Sequence, residues 1–208
     1  MKNMEHVFFK PWVGKDYSTG GIFKKKILVV GEGHVCGGCD YCGLKYAKEC
    51  EDLNTTQVVV DYLNQCSGKW TSTYRKFERS LVNKETTPEE SNEIWQSIAF
   101  FNFLQVAMTE ARKSGSNEDY KEGQTAFLEV IEDLKPDLII VWGVGRLYNW
   151  LPEEGWIDGD KIEIDGYKVK NGYYQLNNGK KSRLIAVYHP SAGYDWVWWY
   201  ENVISSQL

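Results

Sequence analysis

Two kinds of residue along this chain could do chemistry: cysteines at metal-ligand spacing, and polar side chains where apolar runs end. Cys36, Cys39 and Cys42 recur at three-residue intervals in "CGGCDYC", and Cys50 follows eight residues later. Four thiolates in so short a stretch meet the tetrahedral demand of zinc, and equally the four-cysteine ligation of an iron–sulfur cluster. His34 is an alternate imidazole ligand. Against both stands the reading of several free thiols around a glycine-rich loop. Cys66 lies apart and is expected to be a buried apolar residue. The polar candidates are Glu32 and His34 in "GEGH", Asn102 in "FFNFLQ", and His189 and Ser191 in "YHPSAG".

The elements that must position them can be read from hydropathy. "KKILVVGE", "SIAFFNFLQVAM", "LKPDLIIVWG" and "SRLIAVYHP" are apolar runs of the kind that forms strands buried on both faces. Pro136 marks a helix-to-strand turn. Between the runs, "TQVVVDYLNQC" and "GQTAFLEVIEDLKP" have helical spacing, and "TTPEESNEIWQS" opens like a capped helix with acidic residues in its first turn. Residues 161–176 alternate around Asp165-Gly166 and Asn171-Gly172 and predict an inserted antiparallel hairpin with tight turns. Strands separated by helices imply a single α/β domain over 1–208, three-layered α/β/α, around a central, mainly parallel four-stranded sheet. Ligands of such sheets gather at the carboxyl ends of the strands. That selects "GEGH", Asn102, "WGVGR" and "HPSAG".

Composition bounds the partners. The chain has 208 residues and a formal charge of −5. That acidic balance argues against a strong nonspecific grip on phosphate backbones. No apolar run approaches the roughly 20 residues of a membrane span. The start, "MKNMEHVFFKPW", lacks the order of a signal peptide, so a cytoplasmic location, no membrane partner and a monomer are the expectations. In a reducing compartment the cysteines point to metal or to free thiols rather than to disulfides.

Taken in order, the four strand-end motifs resemble the uracil-DNA glycosylase superfamily, over roughly residues 25–200. In that family a first strand ends in a glycine turn, a second carries a base-reading asparagine, a third ends in Trp-Gly, and a fourth runs into His-Pro-Ser. "GEGH" is similar to the "GEAP" of the iron–sulfur branch. The resemblance implies hydrolysis of the N-glycosidic bond of uracil or a related base in DNA. Glu32 would then position water, Asn102 would read the base, and His189 would stabilise the departing anion, with Gly31, Gly33, His34 and Ser191 lining the substrate site. Two departures stand against it. Gly33 occupies the place where many members carry an aspartate or asparagine, and His34 the place of a proline. That branch also distributes its cysteines differently, so its cluster does not carry over to Cys36, Cys39, Cys42 and Cys50.

A bland reading stands beside each sharp one. Glu32 could cap a helix, His189 could be a structural histidine, and Asn102 needs hydrogen-bond partners in any apolar strand. Trp142 is expected in the core. Of Tyr194, Trp196, Trp198 and Trp199, at least two are expected to pack rather than to wedge into a DNA stack. Lys24–Lys26 and Lys180, Lys181 and Arg183 fall at the amino ends of strands, away from the site. The loops on the site side mix Asp40, Glu49, Glu51, Asp52, Asp195 and Glu201 with Lys45, Lys48, Arg112 and Arg146. This charge map favours a second class of function: a non-catalytic member of the superfamily that binds a nucleobase, nucleotide or protein. A doubly wound domain with a structural zinc loop is a third.

Overall fold

A computed structural model describes residues 4–36, 54–108, 110 and 112–208. The first apolar run forms β2 (Ile27–Gly31), after a short β1 (Trp12–Val13). Three helices follow: α1 (Thr55–Leu63), α2 (Thr71–Val82) and α3 (Pro88–Ser97). Helix α3 begins with a capping box, in which the Thr87 hydroxyl accepts from the Glu90 N–H and the Glu90 carboxylate accepts from the Thr87 N–H. It leads without a loop into β3 (Ile98–Asn102). Helix α4 (Asn117–Leu134) opens on a second capping box, Ser116 with Asp119, and ends at Lys135 in the left-handed region. Pro136 then turns the chain into β4 (Leu138–Trp142).

Beyond β4 lie α5 (Arg146–Asn149), β5 (Trp156–Asp158), β6 (Glu163–Ile164), β7 (Tyr167–Lys168), β8 (Asn171–Gln175) and β9 (Lys181–Val187). The described chain finishes with α6 (Trp196–Trp199) and a π-helical turn.

Strands β3, β2, β4 and β9 pair in parallel, in that order, and form the core of the sheet. The expected four-stranded sheet is corrected in extent. The sheet is mixed and seven-stranded, because β1 adds antiparallel to β3, β8 to β9, and β5 to β8. The expected hairpin over 161–176 is corrected too. Asp165 and Gly166, both with positive φ, make the tight turn between β6 and β7, which form a separate two-stranded sheet. Asn171-Gly172 is no turn: it lies within β8 and pairs with β9. Trp156 explains the glycine, since a Cβ at position 172 would sit 2.2 Å from its ring.

Alternation along β2 divides the core. Ile27 and Val29 face Trp95, Phe100 and Trp142 together with residues of α1 to α3 and α6, whereas Leu28 and Val30 face Phe127, Val130 and Ile131 of α4. Helices therefore cover both faces, which is why the parallel strands read as unbroken apolar runs. Trp142 is a core aromatic, as expected, with Phe77, Phe100 and Tyr74 ring centroids 5.0–5.6 Å from its own. Tyr194 and Trp199 are buried and stacked, so these two of the four late aromatics are packing residues. Cys66 is exposed rather than buried. Among the described residues no helix is long and apolar enough to cross a membrane.

The contact between α4 and the end of β3 generates a prediction with an unusual sign. Alanine in place of a mid-helix glycine normally stabilises by about 1 kcal/mol. At Gly123 a Cβ would fall 2.6 Å from the Phe103 ring and 2.7 Å from the Phe103 carbonyl oxygen. Gly123→Ala should therefore destabilise by about 1–3 kcal/mol, read as a lower urea midpoint at unchanged slope.

Candidate functional site

The parallel core runs from β2 outward to β3, then back across β2 to β4 and on to β9. The crossovers diverge between β2 and β4, and in sheets of this kind the carboxyl ends of two such strands are where a ligand crevice forms. Glu32 leaves β2 on one side and Arg146 leaves β4 on the other. They meet as a two-pronged ion pair, with Arg146 Nε on one carboxylate oxygen of Glu32 and Nη2 on the other. The Tyr120 hydroxyl donates to the same carboxylate, and Tyr120 is held by stacking on Trp150 at 4.6 Å. The Arg146 Nη1 group donates to the Ser114 hydroxyl at 2.6 Å. Hydrogen bonding to Glu32 raises the Arg146 pKa further. Burial, then the Glu32 carboxylate, raises that of Tyr120. Glu32 is thus a restrained carboxylate with both oxygens engaged.

The loop after β2 is zipped onto the segment after β3. Phe103 and Leu104 N–H groups donate to the Gly31 and Glu32 carbonyls, and Met108 N–H donates to His34. This pairing brings His34 against Asn102. The Asn102 amide nitrogen lies 3.1 Å from His34 Nε2 and 3.4 Å from Nδ1, and the Thr55 hydroxyl lies 3.0 Å from Nε2. The Asn102 amide nitrogen, which can only donate, is thus directed at the His34 ring. Burial lowers the His34 pKa to about 4. Phe9 packs its ring edgewise on His34 at 4.6 Å.

Both glycines of the turn have a packing reason. A Cβ on Gly31 would lie 2.6 Å from the Asn102 side-chain oxygen, and one on Gly33 would lie 3.3 Å from Leu104. Gly31 therefore admits the Asn102 amide itself. Gln105 anchors the neighbourhood. Its amide oxygen accepts from the Phe8 and Phe9 N–H groups, and its amide nitrogen donates to the Asn102 and Phe103 carbonyls.

His189 follows β9. The Ser191 N–H donates to its Nδ1 at 3.2 Å, and the Ser191 hydroxyl lies 2.7 Å from the same nitrogen. A backbone N–H has no acceptor role, so the neutral ring carries its proton on Nε2. Burial lowers the His189 pKa; the Glu32 charge opposes that shift and the Arg146 charge adds to it. These two influences put His189 within electrostatic reach of the Glu32–Arg146 pair. Its ring also abuts Trp142, edge to face at 5.9 Å.

Of the residues singled out from sequence, Glu32, His34, Asn102, His189 and Ser191 all lie at the carboxyl ends of the parallel strands. Two subsets form: Asn102 with His34, and Glu32 with Arg146 near His189. Ser191 binds His189 rather than facing the site independently. Tyr120, Thr55 and Gln105 join them without having been expected. Cys36 is part-buried against Phe9 and Ala107. Cys39, Cys42 and Cys50 lie outside the described residues. Among the described residues no three metal-ligating side chains gather.

His34 makes the site sensitive to acid. A histidine depressed on folding binds its proton more readily in the unfolded chain, so stability falls as pH drops from 6.5 towards 4. A shift to about 4 corresponds to a loss of about 3 kcal/mol once both pKa values are passed. His34→Gln should flatten that part of the stability–pH curve, measured by urea unfolding at pH 7, 5.5 and 4.

No protein-family model matches the chain, and no curated protein sequence matches it.

Proposed function

We propose that the chain is a divergent member of the uracil-DNA glycosylase superfamily that hydrolyses the N-glycosidic bond of uracil or a related base in DNA. The observation that carries this reading is the tautomer of His189. Ser191 fixes Nδ1 as an acceptor, and burial keeps the ring neutral, so Nε2–H is the hydrogen-bond donor on offer. Cleavage of the bond leaves negative charge on the departing base. A neutral, pre-oriented donor at its carbonyl oxygen is worth about 3 kcal/mol, without having to surrender a proton. Glu32, fixed by Arg146 and Tyr120, supplies negative charge for the cationic sugar and a remaining lone pair to align water. Its pairing with Arg146 holds it in one orientation, as a positioning group requires. Asn102 would read the base edge once His34 swings away from its amide. The order of the parallel strands supports the same reading, since it sets all these groups at one end of the sheet.

The second reading, a non-catalytic superfamily member that binds a nucleobase, nucleotide or protein partner, is favoured by the His34–Asn102 contact. There the reader's donor is already engaged and the carboxylate already paired. A bound metal at Cys36, Cys39, Cys42 and Cys50, zinc or iron–sulfur, remains part of both proposals.

The test is single-turnover release of uracil from single- and double-stranded oligonucleotides at low salt. His189→Ala should slow the chemical step by about 100- to 1,000-fold while the protein stays folded. Asn102→Asp should change base preference, because it exchanges a donor for an acceptor at the reading edge. Binding of a nucleobase without any release by the wild-type protein selects the second reading.

A further inference from the structure

A cavity of about 510 Å³ opens where the end of α1, one face of α2 and the start of α3 meet. None of Glu32, Asn102, Arg146 and His189 lines it. Arg75 and Arg79, one turn apart on the same face of α2, supply its charge. Tyr62, Ser67, Thr71 and Ser91 supply hydroxyls, and no carboxylate lines it. The two guanidinium groups are poorly used within the described protein. Arg75 is exposed and makes no ion pair among the described residues. Arg79 reaches only the outlying Glu85, at 3.5 Å, and its Nε is buried without a hydrogen-bond partner.

A buried carboxylate behind the wall keeps this geometry in place. Glu78, fully buried, accepts hydrogen bonds from the Thr86 and Ser91 hydroxyls and from the Trp95 indole N–H. These bonds tie α2 to α3 and to the turn between them. The Glu78 carboxylate makes no ion pair with either arginine among the described residues. The lining thus carries two guanidinium groups in a hydroxyl-rich recess, Arg75 without an ion pair among the described residues and Arg79 paired only with Glu85 at its edge.

We propose that this cavity binds a phosphomonoester, a small organic phosphate whose doubly charged head lies between Arg75 and Arg79. Guanidinium forks suit tetrahedral oxyanions, and two of them one turn apart on a helix can share the oxygens of one phosphate. The volume falls in the range of small-molecule sites and exceeds what the phosphate alone fills, so an organic portion has room beside Tyr62. This inference is independent of the glycosylase reading.

Calorimetric titration of the whole protein with phenyl phosphate and with inorganic phosphate, at matched ionic strength, tests it. Saturable binding of phenyl phosphate, tighter than that of inorganic phosphate, is expected, and Arg75→Gln and Arg79→Gln should each weaken it about tenfold or more. Arg75 is exposed, so Arg75→Gln keeps the fold and preserves the test even where Arg79→Gln disturbs α2. Absence of saturable binding, equal affinity for the two probes, or unchanged affinity in Arg75→Gln would each overturn the proposal.

Discussion

The ion pair between Glu32 and Arg146 is the constraint on which the candidate site depends. Its partners lie 114 residues apart and leave adjacent strands in divergent directions, so it spans the point where the sheet's connections reverse. The Glu32 side chain is 16% exposed, and its removal from water is tolerable only with a partner. Arg146 supplies that partner with a planar fork, while Tyr120 brings α4 to the same carboxylate. Three separate elements therefore converge on one charge. Replacing either member of the pair would disturb the site through the charge left behind, beyond the loss of a single bond.

A second constraint acts through space rather than charge. The Asn102 amide occupies room that only a glycine at position 31 leaves open, and His34 closes over it. The loop that carries Glu32 and His34 is zipped by backbone hydrogen bonds to the segment beyond Asn102, which fixes the two backbone segments side by side. Gln105 extends this pairing to the N-terminal segment and holds Phe9 over His34. The polar centre is thereby set between hydrophobic walls. There a neutral histidine is favoured over a charged one, and hydrogen bonds gain strength from exclusion of water.

How much of this was legible in the sequence follows from which interactions are local. The four parallel strands were legible because burial on both faces demands continuous apolar runs, as in Ile27–Gly31 and Leu138–Trp142. The capped start of α3 was legible because its hydrogen bonds lie within four residues. The antiparallel edge strands were not: β1 has two residues, β5 is largely exposed, and the glycine of β8 looks like a turn until Trp156 is placed above it. Helix α2 stands outside the expectations, although Tyr74, Phe77 and Leu81 have helical spacing. For the site, the strand-end rule located Glu32, Asn102 and His189. It could not pair Arg146 with Glu32, nor His34 with Asn102, because those contacts arise only when distant loops are brought together.

The pairings also order the site chemically. Along the carboxyl edge of the sheet, the Asn102 amide on β3 comes first, then the restrained carboxylate after β2, its guanidinium after β4, and a neutral imidazole after β9. In the reaction proposed, the donor at one end would face the anionic fragment of the separating bond and the fixed negative charge nearer the middle its cationic fragment. The charge of Arg146 helps to keep His189 unprotonated. Two pairings, Ser191 with His189 and Arg146 with Glu32, therefore set the orientation of the imidazole and of the carboxylate.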